Sequence, residues 1–329
     1  MRIRVAGGFV PVKNVLPHDE VALQERDYER LPCLHIGYAK CASTTLQHHF
    51  FRSHSEITNL GRPSPHRDIR QTFEVIFNAA EASHNEAAKA DVERCRVAWR
   101  DQLNLAASAG KIVAYSHERL THSQYYKTPS DTTLPELLRS IIGPCKIMIV
   151  IREQLHVLES YYLHKTRAHT YLPPDEWLET NAAGLVQMLQ YDKLASAYRN
   201  VFGPENVGIF LFEELRDRPA DFANRICRFM GVDPKIGAEL LKDKRENIRR
   251  SSRMLWYASI RSRLWPHFRV SEYLPDAVVT GWNHFLQRGR RAEVSFSEDR
   301  VRTLEKLYAA ANSNLIREFD LPLKQFGYL

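Results

Sequence analysis

The chain has 329 residues, 44% hydrophobic and 26% charged, with a formal net charge of +7. That length and balance describe a globular chain with a sizeable core, one large α/β domain or two small ones. No apolar run reaches the roughly 18 residues of a spanning helix, and five scattered cysteines without a C-x-x-C pair support neither a disulfide framework nor a zinc module.

In chain order, residues 1–30 show no firm periodicity and read as an N-terminal arm, followed by one domain over 31–329. Arg2 and Arg4 precede an apolar stretch that Pro11 interrupts, with no small-residue cleavage site. No signal peptide is therefore read, and the expected location is cytoplasmic. Residues 33–37 read as a first buried strand and 44–53 as a helix. Residues 55–70, with Gly61, Pro63 and Pro65, read as a loop, and 71–108 as mostly helical. Further strands are expected near 111–116, 146–151 and 207–212, separated by helical patterns. Val301, Leu304, Leu307, Tyr308 and Ala311 mark a last helix near 297–318. Strands alternating with helices imply a mostly parallel central sheet flanked by helices, with ligands beyond the carboxyl ends of the strands. Gly37, Ser116 and Arg152 all fall at that edge.

Two stretches carry the chemistry. In Leu34-His35-Ile36-Gly37-Tyr38-Ala39-Lys40-Cys41-Ala42-Ser43-Thr44-Thr45-Leu46, an apolar run ends in a glycine, a turn carries one lysine, and a hydroxyl cluster opens a helix. Backbone N–H groups and the positive helix end converge there on an anion. The hydroxyls of Ser43, Thr44 and Thr45 add donors, and Lys40 adds a point charge. The order is not a Walker A, in which lysine directly precedes the hydroxyl residue. An ordinary strand, turn and capped helix is the plain alternative. The second stretch, Lys146-Ile147-Met148-Ile149-Val150-Ile151, ends in Arg152, with Ser160 eight residues into the following helix pattern. A guanidinium fork with a nearby hydroxyl suits a phosphate.

Together, in this order, the two stretches resemble the 5'-phosphosulfate and 3'-phosphate sites of sulfotransferases that use 3'-phosphoadenosine 5'-phosphosulfate (PAPS), in the bacterial type with a P-loop-like fold. Ala42 stands where the family usually has glycine. The Ser116-His117-Glu118 element, Val207 to Leu215, Phe222 to Val232, Asn312 to Leu315 and Phe326-Gly327-Tyr328 extend the likeness over most of the chain from residue 31. The resemblance implies that Gly37, Cys41, Ala42, Ser43, Thr44 and Thr45 hold the 5'-phosphosulfate. Lys40 stabilises the departing bridging oxygen, and Arg152 and Ser160 hold the 3'-phosphate. The product would be adenosine 3',5'-bisphosphate (PAP), and no metal is required. Glu118 is the first candidate for the base and His117 the second; Glu118 also reads as a capping or ion-pairing residue. His66 and Asp68 lie where some relatives carry a Lys-Glu-Pro element, and Gly61-Arg62-Pro63 departs from it. Arg288 and Arg290, in Arg288-Gly289-Arg290-Arg291, match a basic glycine loop that closes over the cofactor in some relatives; a solvated charge run is the alternative.

The partner expected is a hydroxyl-bearing acceptor on a carbohydrate or glycolipid. Between Lys242 and Arg269 there are nine basic and two acidic residues, interleaved with Leu255, Trp256, Tyr257, Leu264, Trp265 and Phe268. This segment reads in three ways: a grip on an anionic glycan or the cofactor, a peripheral contact with an anionic membrane, or a helix packed on the core. No nucleic-acid module is recognised. Cys41 sits beside Lys40, a neighbour that lowers a thiol's pKa, but no orienting base accompanies it. Two rival functions remain. A P-loop-type kinase would need magnesium ligands where the strand 146–151 instead ends in Arg152. A non-catalytic anion- or glycan-binding protein would explain Ala42 in the loop. Oligomeric state is silent in the sequence.

Overall fold

Short apolar runs pair into one parallel sheet of five strands: β1 (Cys33–His35), β2 (Ile57–Asn59), β3 (Ile112–Ser116), β4 (Lys146–Ile151) and β5 (Val207–Leu211), in the order β2-β3-β1-β4-β5. This is a computed structural model, and it describes residues 30–61, 86–121, 126–166, 172–242, 251–264, 275–290 and 292–328. The residues of β1 and β3 are buried throughout and those of β4 nearly so, as expected where helices cover both faces of a parallel sheet. In register, His35 of β1 lies between Ser116 of β3 and Met148 of β4. β1 and β3 therefore end level with each other, while β4 runs three residues farther, to Ile151, before Arg152.

Helix α1 starts at Ser43–Thr45 and continues in π-helical turns over Leu46–Phe51. It lies deep: Leu46, Gln47, Phe50 and Phe51 are all buried, while His48 faces solvent. Long α2 (Glu86–Ser108) packs beside α3 (Thr133–Ile142), where the Trp99 indole N–H donates to the Ile142 carbonyl at 3.1 Å. After β4 come α4 (Gln154–Lys165), α5 (Pro174–Asn181), α6 (Ala183–Met188) and α7 (Tyr191–Phe202). After β5 come α8 (Phe212–Asp217), α9 (Pro219–Met230) and α10 (Pro234–Leu241). The pair α11 (Ser252–Leu264) and α12 (Asp276–Gln287) precedes α13 (Glu298–Phe319).

The expected strands and the last helix stand where the sequence pattern puts them, within a few residues. The stretch 55–70 does not: its first residues form β2, an edge strand beside β3. Three residues ahead of Gly61 are too few to show a period, and only pairing with β3 makes them a strand. Gly61 follows for a steric reason. A Cβ there would come within 2.6 Å of the Ser116 backbone nitrogen, so β3 and the chain leaving β2 touch backbone to backbone.

Residues 1–29, with most of the expected arm, lie outside the described residues. So do 62–85, with His66 and Asp68, and the basic positions 243–250 and 265–269.

Candidate active site

The loop from Gly37 to Thr45 connects the end of β1 to α1. Its Gly37 is a close-packing position: a Cβ would stand 2.7 Å from both the His35 ring and the Ser43 hydroxyl. Lys40 and Ala42 both adopt left-handed backbone, at φ 69 and φ 64, with Cys41 between them. Turns of this kind point successive peptide N–H groups into one concavity. The first N–H groups of α1, at Ser43 to Thr45, have no carbonyl partner within the helix and face the same way. The loop is braced from inside by the Cys41 N–H on the Tyr38 carbonyl at 3.2 Å and by the Ser43 hydroxyl on the same oxygen at 3.4 Å. Ser43 and Thr45 are buried and Thr44 is half-buried, so the three hydroxyls divide between bracing and presentation.

Arg152 leaves the end of β4 and turns to this loop. Its Nη1 donates to the Lys40 carbonyl at 3.3 Å, and its guanidinium lies over the Phe212 ring, 4.7 Å from the centroid. The Tyr191 hydroxyl donates to the Arg152 carbonyl at 2.6 Å. Glu153 then caps α4, accepting from the N–H groups of Leu155 and His156 at 2.9 and 2.8 Å. Ser160 is half-buried farther along α4. The structure thus brings Lys40 and Arg152 together across the central strands.

The third wall is the end of β3. His35 Nδ1 and the Ser116 hydroxyl are 2.7 Å apart, and the Gln47 amide donates to that hydroxyl at 3.1 Å. His117 is buried, its ring stacked on Tyr115, and its N–H donates to the His35 carbonyl at 3.1 Å. Glu118 is half-buried at the start of a short turn (Glu118–Thr121), whose Thr121 hydroxyl donates to the Gly37 carbonyl at 3.2 Å. The carboxylate of Glu118 acts electrostatically on Cys41 of the loop and on Tyr161 of α4. It therefore lies within electrostatic range of both stretches, and it is the more accessible of the two candidate bases.

Electrostatics correct one expectation. Burial pushes the Cys41 thiol well above its usual range, and Glu213 and Glu118 push the same way; Arg152 only partly offsets them. The lysine beside it does not make it a thiolate, and its N–H braces the turn on the Tyr38 carbonyl. Burial holds the His35 imidazole down at about 3, so it is neutral beneath the loop.

Sequence reasoning missed the groups that hold Arg152 from behind. Buried Glu213 accepts the Glu153 N–H at 3.0 Å and the Tyr328 hydroxyl at 3.0 Å. Burial holds its carboxyl above the ordinary range. Gln154 and Asn312 pair at 2.7 Å, fastening α13 to the start of α4. The signal was present only as polar residues in apolar surroundings, Glu213 and Glu214 after β5 and Asn312 within α13. Arg288 and Arg290 are exposed beyond α12, and their loop is joined to α11 by the Ser252 N–H on the Arg290 carbonyl at 2.9 Å. No described contact carries either arginine to the Gly37–Thr45 loop. Arg291 lies outside the described residues.

The family model for the sulfotransferase domain matches residues 32–309. The chain belongs to the sulfotransferase family. Its fold is similar to that of a sulfotransferase from Alicyclobacillus acidocaldarius, at 16% identity and TM-score 0.51, covering 90% of this chain and 98% of that one. Weaker likenesses are to the sulfotransferase domain of the Synechococcus PCC 7002 olefin synthase (13% identity, TM-score 0.41, 86% and 97% covered). Another is to a mouse sulfotransferase complexed with PAP (14% identity, TM-score 0.39, 86% and 89% covered). No curated protein sequence matches the chain significantly. The enzyme is thus a sulfotransferase on the P-loop-like α/β fold, and the kinase and non-catalytic readings fall away.

Proposed function

We propose that this sulfotransferase takes PAPS as its donor and transfers the sulfuryl group to a hydroxyl on a carbohydrate or glycolipid by in-line displacement. The observation that supports the donor reading is the contact between Arg152 and the Lys40 carbonyl, which sets the two stretches side by side. The donor set fits a nucleotide bearing two separate anionic groups: a loop of peptide N–H groups and hydroxyls at Gly37 to Thr45, and a guanidinium with the Ser160 hydroxyl at α4.

Bound there, the donor supplies a sulfuryl group activated as a mixed anhydride with phosphate. The loop N–H groups and Thr44 hold that end in place, so the reacting groups meet without further ordering. Lys40 sets a cation beside the oxygen on which charge develops, an interaction that strengthens as the reaction proceeds. Glu118 accepts the acceptor's hydroxyl proton from the β3 side. A carbohydrate or glycolipid acceptor is the class that the resemblance to bacterial members of the family suggests.

Calorimetric titration of PAP into the wild type and Arg152→Ala, without magnesium, tests the reading. Micromolar binding to the wild type that is lost in the variant supports it. Absence of PAP binding to the wild type overturns the donor assignment. Turnover with PAPS against panels of neutral oligosaccharides and glycolipids then decides the acceptor class.

A further inference from the structure

The hairpin of α11 and α12 turns apolar residues outward. Trp256 is 64% exposed, Leu264 60%, Val278 51%, Trp282 40% and Phe285 49%. Elsewhere among the described residues, large hydrophobic side chains exposed in this way are confined to Val97 and Leu105 of α2. On α12, Val278, Trp282 and Phe285 stand at i, i+4 and i+7, one stripe along one face. Tyr257 and Leu264 of α11 stand seven residues apart. The two stripes meet where the Tyr257 and Trp282 rings lie 5.7 Å apart, and Trp282 stacks on Phe285 at 5.5 Å. No described α12 side chain joins the main hydrophobic core. Single exposed apolar residues are ordinary, but a continuous stripe marks a surface that is covered in use.

Charge on the same hairpin identifies what covers it. The Arg253 guanidinium lies over the Phe285 ring, 4.8 Å from the centroid, at the end of the stripe. Exposed Arg288 and Arg290 sit at that end too, held to α11 by the bond from the Ser252 N–H to the Arg290 carbonyl. Across the two helices and the turn at 288–290, Asp276 is the single acidic residue against five arginines, of which Arg261 is buried and Arg253, Arg288 and Arg290 are exposed. Aromatic and aliphatic side chains rimmed by arginines match the boundary between acyl chains and anionic headgroups. The aliphatic members, Leu264 and Val278, decide against a sugar: a glycan stacks on flat rings and gains little from a leucine or valine, whereas a bilayer takes both.

We propose that the α11–α12 hairpin is a docking surface for an anionic lipid bilayer. Trp256, Leu264, Trp282 and Phe285 insert at the interface, and Arg253, Arg288 and Arg290 bind the headgroups. The inference stands independently of the donor and acceptor readings, since it concerns adsorption and not turnover.

The test is co-sedimentation of the full chain with phosphatidylcholine vesicles, with and without phosphatidylglycerol. Binding is expected only to the anionic vesicles, falling as salt rises. The double variant Trp256→Ser with Leu264→Ser is expected to lose it roughly tenfold or more, while its melting temperature and its turnover of a water-soluble acceptor stay at the wild-type values. Failure of the wild type to bind anionic vesicles overturns the proposal. So does unaltered binding by the double variant. A self-associated wild type that the double variant renders monomeric, with no vesicle binding by either, assigns the stripe to a second copy instead.

Discussion

Arg152 Nη1 donates to the carbonyl of Lys40 at 3.3 Å, and the same guanidinium lies over the Phe212 ring. The arginine is a strut for the lysine-bearing turn and, in the proposed function, also the positive charge for the donor's anion. Arg152→Lys separates them. The charge survives, while the planar fork that reaches Lys40 and stacks on Phe212 is lost. Hydrogen bonds of charged groups are worth about 1.5–3 kcal/mol, so PAP affinity is expected to fall roughly ten- to a hundredfold. Lys40→Ala is expected to differ in kind: turnover falls by roughly 10²- to 10³-fold, with a smaller change in PAP affinity. Calorimetry beside steady-state kinetics for both variants checks this, and equal affinity losses in the two would sink the distinction.

Ala42 carries a cost that glycine would not. It holds φ 64 and ψ 14, a left-handed conformation that strains an L-residue by roughly 1–2 kcal/mol. Glycine removes the strain but returns part of the gain as freedom of the unfolded chain. Ala42→Gly is thus expected to be stabilising by up to about 1 kcal/mol. Ala42→Val, with a branched Cβ at a buried left-handed position, is expected to destabilise by more than that. Urea denaturation of the three proteins decides it; a valine variant as stable as the parent would show that the turn relaxes elsewhere.

Gly61 makes a sharper steric prediction. An alanine methyl there meets the Ser116 backbone nitrogen at 2.6 Å and the Ser116 carbonyl oxygen at 2.8 Å, neither of which can rotate away. Either β2 separates from β3, or Ser116 moves and carries His117 and Glu118 with it. Gly61→Ala is expected to cost about 2 kcal/mol or more and to lower turnover beyond the loss of folded protein. Activity normalised to the folded fraction is the readout, and an unchanged normalised rate would mean that β2 yields while Ser116 and Glu118 stay in place.

How much of this was legible in the sequence follows from the range of each interaction. The strands at 111–116, 146–151 and 207–212 announce themselves as runs of buried apolar residues, and their helical partners by local period. Gly37, Lys40, Ser43 and Arg152 are visible because strand ends and helix starts are local features. Strand β2 is not, because three residues carry no period and only β3 makes them a strand. Glu213, Tyr328 and the Gln154–Asn312 pair are not either. Each acts on a residue 60 to 158 positions away along the chain, and no local pattern encodes such a meeting. Cys41 illustrates the converse. Lysine beside it in sequence suggests a reactive thiol, while burial in the fold pushes the thiol the other way.

The cap of α4 gives a pH prediction. His156 Nδ1 and Glu153 Oε2 are 2.7 Å apart. That bond raises the imidazole above its ordinary value; partial burial opposes it, and the charges of Glu153 and Glu159 assist it. A raised folded-state pKa stabilises the protein fully below the unfolded value, about 6.5 for histidine, and the gain is lost as pH climbs through the folded value. The imidazole is half exposed, so solvent screening limits the effect to within about 1 kcal/mol. The melting temperature of the wild type should therefore exceed that of His156→Gln on the acidic side of neutrality and converge with it on the alkaline side. Paired melts across that range check it. Because Glu153 keeps its two backbone N–H bonds when His156 loses its proton, PAP affinity should change far less than the melting difference does. A gap in melting temperature that stays constant with pH would mean that His156 acts through packing and not through its charge.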